Sequence, residues 1–278
     1  MPDLPIMDYS PLDKPEILHH IFYPRREWRR METGSTRDIS IPVEGDIAVG
    51  ARFHLADKHG PTILFFHGNG EIAADYDDLA PVYNRLGINF LVVDYRGYGQ
   101  SNGTPTVSAM MRDCLTAYNF ARRWLADNGC TGPFLVMGRS LGSASALELA
   151  AIKQTDVDGL IVESGFAFSG PLLKLLGVSL EGLDFSESKG FRNLDKMREF
   201  KKPVLIIHSE FDTIIPFSDG QAFFDASPSR DKTLLKIQGA GHNDIFSVGL
   251  MEYMTAVKLF VERVRAASSG SPAGGGPE

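Results

Sequence analysis

The chain has 278 residues, 43% of them hydrophobic and 23% charged, the balance of a globular protein whose core is large enough to house a buried site. A net charge of -7 and a pI near 5.5 argue against a general nucleic-acid binder, because phosphate contacts need surplus Lys and Arg. No apolar run reaches the roughly 18 residues of a membrane-spanning helix. The N-terminus also lacks the basic-then-apolar order of a signal peptide. With two cysteines only, Cys114 and Cys130, neither in a CxxC pair, these features point to a cytoplasmic protein without an integral membrane segment.

Residues 1–34 read as an irregular segment that packs on the main domain. Within it, Ile17, Leu18, Ile21 and Phe22 are mixed with four arginines. A membrane-surface helix is the alternative there, and Pro24 interrupts it. From residue 36, "TRDISIPV" and "DIAVGARFHL", separated by Glu44-Gly45, predict an antiparallel hairpin. Apolar runs follow at 62–66, 89–93, 133–137, 159–163, 203–208 and 232–237, as expected of strands buried on both faces. Helical patterns at 75–86, 106–126, 141–153, 217–226 and 245–265 lie between most of them. Strands alternating with helices predict an α/β fold, a mostly parallel eight-stranded sheet with helices on both faces. The segment at about 164–200, long for a connection in such a sheet and rich in Phe and Leu, reads as a small lid inserted in a domain spanning 35–265. The Gly- and Pro-rich tail, 266–278, reads as disordered.

Ligands of an open parallel sheet bind beyond the C-terminal ends of its strands. At those ends stand His67-Gly68-Asn69-Gly70, then "DYRGYGQS", then Gly138-Arg139-Ser140-Leu141-Gly142, then Asp212 and finally His242. A serine, an acid and a histidine thus fall at one edge. Gly-x-Ser-x-Gly between an apolar strand and a helix places the serine in a strained turn that lifts its hydroxyl clear of the backbone. The glycines are needed where a Cβ would collide with neighbouring strand or helix atoms, and the Leu141 backbone N–H can donate to a developing oxyanion. Taken alone, the same five residues also suit a plain strand-to-helix turn.

Four motifs in order, "HGNG", "DYRGYGQS", "GRSLG", then "DTIIP" with "GAGH", make residues 36 to 265 resemble an α/β-hydrolase. In detail the chain is similar to the small-lid Bem46-like serine hydrolases, related to the depalmitoylating members of that family. The resemblance implies a catalytic triad of Ser140, Asp212 and His242. Ser140 would attack a carbonyl, His242 would take and return its proton, and Asp212 would orient the imidazole. It also implies a second oxyanion donor in the "HGNG" loop, Asn69 before Gly70, and a bracing role for Asp94, Arg96, Gly97 and Gly99 in the neighbouring loop, while His67 reads as a support of its loop with a catalytic base as the alternative. A serine at the nucleophile position sets the chain apart from the dehalogenase and epoxide hydrolase branches. Without HExxH, paired CxxC or a dense His and carboxylate cluster, neither metal nor cofactor is expected.

In the lid segment Phe166, Phe168 and Leu172 are candidate substrate-binding residues for an apolar pocket that suits an acyl chain. The other reading makes them the lid's own contact with the domain. The expected activity is hydrolysis of carboxylic ester or thioester bonds, of a small-molecule or acylated substrate, through an acyl-enzyme. A peptidase or acyltransferase on the same triad is the alternative, and a non-catalytic binding protein is a third reading. Glu163 is a fallback acid expected to hydrogen-bond locally, and Arg139 has no assigned role.

Overall fold

The computed structural model describes residues 7–28 and 35–269. Its frame is one eight-stranded sheet in the order β1-β2-β4-β3-β5-β6-β7-β8. Strands β1 (Thr36–Glu44) and β2 (Ile47–His54) form the expected hairpin, turning at Gly45, whose φ of +55° costs a glycine little. β2 pairs antiparallel with β4 (Asn89–Val93). The remaining strands, β3 (Thr62–Phe66), β5 (Phe134–Arg139), β6 (Gly159–Glu163), β7 (Val204–Ser209) and β8 (Lys232–Ile237), all run parallel.

Strands β3 to β7 are buried at every position. Their apolar runs carry no polar alternation because both faces are covered. On one face Ile63, Phe65 and Phe90 meet α2 (Ala80–Arg85) and α8 (Ile245–Ser269). On the other, Leu64, Phe66 and Val136 meet α3 (Val107–Asp127) and α4 (Ser143–Ile152), with α6 (Asn193–Glu199) and α7 (Phe217–Ala226) beside them. Each such buried side chain contributes roughly 1.5–3 kcal/mol relative to exposure.

The helix expected over 75–86 is split into a 3₁₀ turn at Ala73–Tyr76 and α2, because Pro81 lacks the N–H that would continue the first turn into the second. The N-terminal segment is not irregular throughout. Pro15 and Glu16 open a short helix, α1 (Pro15–Ile21), that buries Ile17 and Ile21. Between β6 and β7 the chain forms α5 (Ser169–Leu175), a 3₁₀ turn at Glu187–Lys189, and α6. The last helix runs to Ser269, kinked at Gly249, so residues 266–269 of the tail read as disordered are helical and 270–278 lie outside the described residues.

Topology decides where a site forms. From β3 the chain crosses to β4 on one side, then returns to place β5 on the other. A crevice opens where strand order reverses, beyond the ends of β3 and β5. Those ends carry His67 and Ser140.

The antiparallel edge is held by charge. Arg52 on β2, 1% exposed, donates to Asp38 at 2.6 Å, Asp77 at 2.7 Å and Glu27 at 3.2 Å. His54, two residues on, is buried, and its burial together with the Arg52 charge pushes its pKa down to about 4. A histidine depressed below its ordinary value of about 6.5 contributes stability that is full above that value and is lost as pH falls toward the folded value. Melting temperature should therefore drop between about pH 6.5 and pH 4 in the native protein and drop less in His54→Gln, as read by thermal unfolding across that window.

Candidate active site

Ser140 stands at the end of β5 with φ of +50°, in a 3₁₀ turn (Ser140–Gly142) that runs straight into α4. The glycines on either side make this turn possible. A Cβ on Gly138 would lie 2.2 Å from the Gly142 carbonyl oxygen, and one on Gly142 would lie 2.0 Å from the Phe66 carbonyl oxygen. A side chain at 142 would push the turn off the end of β3, and one at 138 would force the turn itself open. The turn is tied off by the Ser143 hydroxyl, which donates to the Ser140 carbonyl at 2.6 Å.

Three residues from separate loops meet here. The Ser140 Oγ lies 3.0 Å from His242 Nε2, and His242 Nδ1 lies 2.7 Å from Asp212 Oδ2. Because a carboxylate only accepts, the proton between His242 and Asp212 sits on Nδ1, which leaves Nε2 free to accept from the serine. Asp212 Oδ1 accepts from the backbone N–H groups of Ile214 at 3.0 Å and Ile215 at 2.7 Å. Burial on its own raises the Asp212 pKa, but the hydrogen bonds from His242 and these amides outweigh it and hold the carboxyl below its ordinary value. Sequence reasoning did not single out His208, whose buried ring donates through Nε2 to the Ile215 carbonyl at 2.8 Å and so braces the same turn. Its only sequence signal is its place at the end of an apolar strand.

Arg139, without a role in the sequence, has one in the structure. Its Nε donates to Glu163 Oε1 at 3.1 Å, its Nη1 pairs with Glu71, and its Nη2 donates to the backbone carbonyl of His242 at 2.8 Å. One guanidinium thus joins the β3 loop, the end of β6 and the histidine loop. Burial works against the Arg139 charge, but the Glu71 and Glu163 carboxylates hold its pKa above the ordinary arginine value. Glu71 is itself raised by burial, yet Arg139, the Tyr76 hydroxyl at 2.6 Å and the Gly68 N–H at 2.7 Å bring it below its usual range. In Glu163, which also accepts from Tyr253 at 2.7 Å, burial prevails and the pKa is raised. The fallback acid is therefore committed to Arg139 and Tyr253. The acidic residue directly after "HGNG" was the available sign of Glu71.

A cavity of about 200 Å³ opens at Ser140. Phe166 and Leu172 line it, as do Asn69, Leu141 and His242. Phe168, also expected in the pocket wall, does not: it precedes α5 and is 37% exposed, turned outward where the helix begins. Gly70 is not among the lining residues either, and its backbone N–H faces the Tyr98 hydroxyl. His67 is fully buried behind the loop, with Nδ1 on the Gly68 carbonyl at 2.8 Å and Nε2 3.3 Å from Asp94. Asp94 also accepts from Ala73 N–H at 2.8 Å, and Arg96 pairs with Asp113 at 2.7 Å. Ile21 of α1 lines the cavity too, unannounced by any motif.

This strand order, with a serine in a left-handed turn after β5, defines the α/β-hydrolase fold. Solved structures agree. The Pyrococcus furiosus esterase Pf2001 superposes with a TM-score of 0.69 at 17% identity, over 86% of this chain and 98% of that one. Ferulic-acid-bound Est1E from Butyrivibrio proteoclasticus gives 0.67 at 22%, over 82% and 99%. The family "Serine aminopeptidase, S33" matches residues 57–181. Rat lysophosphatidylserine lipase ABHD12 is 34% identical over 66% of this chain and 50% of its own length. Human alpha/beta hydrolase domain-containing protein 17B is 32% identical over 73% and 66%. The chain thus spans half to about two thirds of the length of these relatives, and it belongs to the α/β-hydrolase superfamily of serine hydrolases.

The comparison corrects one expectation. ABHD12 and ABHD17B are membrane-associated proteins, which overturns the cytoplasmic assignment drawn from composition. No described helix is long and apolar enough to cross a membrane.

The Arg139 brace is open to direct measurement. Arg139→Met leaves the buried Glu163 without its cation beside the half-buried Glu71, and urea unfolding should show a loss of about 3 kcal/mol or more. Arg139→Lys should recover only part of it, since one ammonium cannot span the three acceptors of a guanidinium fork.

Proposed function

We propose that this protein hydrolyses carboxylic ester or thioester bonds of small acylated substrates through an acyl-enzyme on Ser140. The observation that carries the reading is the hydrogen-bonded chain from Ser140 through His242 to Asp212, at the mouth of an apolar cavity. The relatives support it, one of them being a lysophosphatidylserine lipase by name.

In the first half-reaction Ser140 Oγ bonds to the acyl carbon as its proton passes to His242 Nε2. Asp212 carries the resulting imidazolium's charge through Nδ1–H. The tetrahedral oxyanion is met by the backbone N–H groups of Leu141 and Asn69, whose residues flank the serine in the cavity wall. Gly70 is the weaker second donor, since its N–H faces Tyr98. Collapse breaks the bond to the alcohol or thiol, which leaves with the proton from Nε2. Water then repeats the sequence and frees the acid.

Phe166 and Leu172 form the apolar wall for the acyl group, within a cap at about 164–200 set into a domain of 35–265. At about 200 Å³ the cavity falls below the roughly 300–1,000 Å³ of sites for drug-sized ligands, so the preferred acyl group is short. An aminopeptidase, the activity named by the S33 family, needs a carboxylate for the substrate's ammonium. Among the described residues none lines the cavity, and Glu71 and Glu163 are spent on Arg139.

Ser140→Ala should lower hydrolysis of p-nitrophenyl butyrate by at least about 10⁴-fold while leaving thermal unfolding unchanged. Turnover retained in that variant, with wild-type Ser140 unlabelled by a fluorophosphonate, would refute the assignment.

A further inference from the structure

The N-terminal arm, residues 14–25, has no counterpart in the four motifs, yet it reaches both sides of the cavity. On the cap side, Lys14 Nζ donates to the Leu183 carbonyl at 3.0 Å. His20 Nδ1 lies 2.7 Å from the Leu176 carbonyl. A carbonyl only accepts, so the His20 proton sits on Nδ1 and the bond is directional. On the other side, the Tyr23 N–H donates to the Asn69 side-chain oxygen at 2.9 Å, and the Tyr98 hydroxyl donates to the same atom at 2.7 Å. Arg25 Nε donates to the Gly70 carbonyl at 3.1 Å and its guanidinium pairs with Asp75. Between these two sets of bonds, Ile21, 3% exposed, enters the cavity wall with Leu172 and Leu176 of the cap.

We propose that the arm is a strap across the acyl pocket and that Ile21 is its specificity-determining residue, setting the length of acyl group accepted. The inference rests on the ester- or thioester-hydrolase reading above. Its physical basis is that every wall of a small cavity limits depth, and this wall is held at both ends by bonds to elements that line the site. Leu176 is fixed through its carbonyl by His20 and Asn69 through its side chain by Tyr23. A change in the arm therefore alters the space for the acyl chain while Ser140, His242 and Asp212 keep their own contacts.

The test compares wild type with Ile21→Ala and Ile21→Phe on p-nitrophenyl esters from acetate to decanoate, with fluorophosphonate labelling counting competent Ser140 in each. One methylene in an apolar pocket changes kcat/KM by about tenfold or more. Ile21→Ala should raise the octanoate-to-butyrate ratio of kcat/KM by about that factor, and Ile21→Phe should lower it similarly. Opposite shifts cannot come from misfolding, which reduces all substrates together. If both variants label normally and keep the wild-type profile, the strap proposal falls and the hydrolase reading stands. A wild type that neither labels nor turns over any ester would overturn both. Should Ile21→Ala fail to fold, Ile21→Val and Ile21→Phe decide the matter by the same ratio.

Discussion

The site depends on a crowded crossing of backbone. Ser140 holds a left-handed conformation because β5 ends against β3 with no room between them, and Gly138 and Gly142 are what the crowding leaves. A non-glycine residue at positive φ is held there only when its surroundings over-determine it. Here they do: β3 and β5 pair over five residues, α4 starts at once, and the Ser143 hydroxyl closes the turn. The strain raises the hydroxyl above the strand ends, and the reversal of strand order at the same point supplies the crevice it faces.

Alignment of the other two residues is a matter of electrostatics. Among the described residues, the loop carrying Glu71, the end of β6 with Glu163 and the loop carrying His242 show no backbone hydrogen-bond pairing to one another. Arg139 replaces that pairing with charge-assisted bonds, and it stands next to Ser140 in sequence. Both the serine and the carbonyl of its histidine partner are thus referred to one short length of β5. Asp212 is fixed separately, by two amides of its own turn and by His208 beneath it.

Much of this was legible in the sequence because parallel strands buried on both faces leave unbroken apolar runs, and the residues that follow such runs must share one edge. Ser140, Asp212 and His242 could be placed together on that ground. What stayed hidden has physical reasons. Arg139 and Glu71 come from distant loops, and a charge gives no sign of its partner. Helix α1 is short and mixes histidines with its apolar residues, so its pattern is weak. Phe168 and Phe166 are separated by two positions at a helix start, where periodicity does not say which one turns inward. Composition does not report the membrane association of the relatives, and no described helix is long and apolar enough to cross a membrane.

The strap has a consequence for how the protein is made. Lys14 bonds a carbonyl 169 positions further along the chain, and Tyr9 donates to Glu148 139 positions away. Contacts of such separation form late, after loop closure has been paid in entropy by the sheet. During synthesis the arm must wait until the cap and α4 have followed it. The serine turn can therefore be assembled before its pocket is closed.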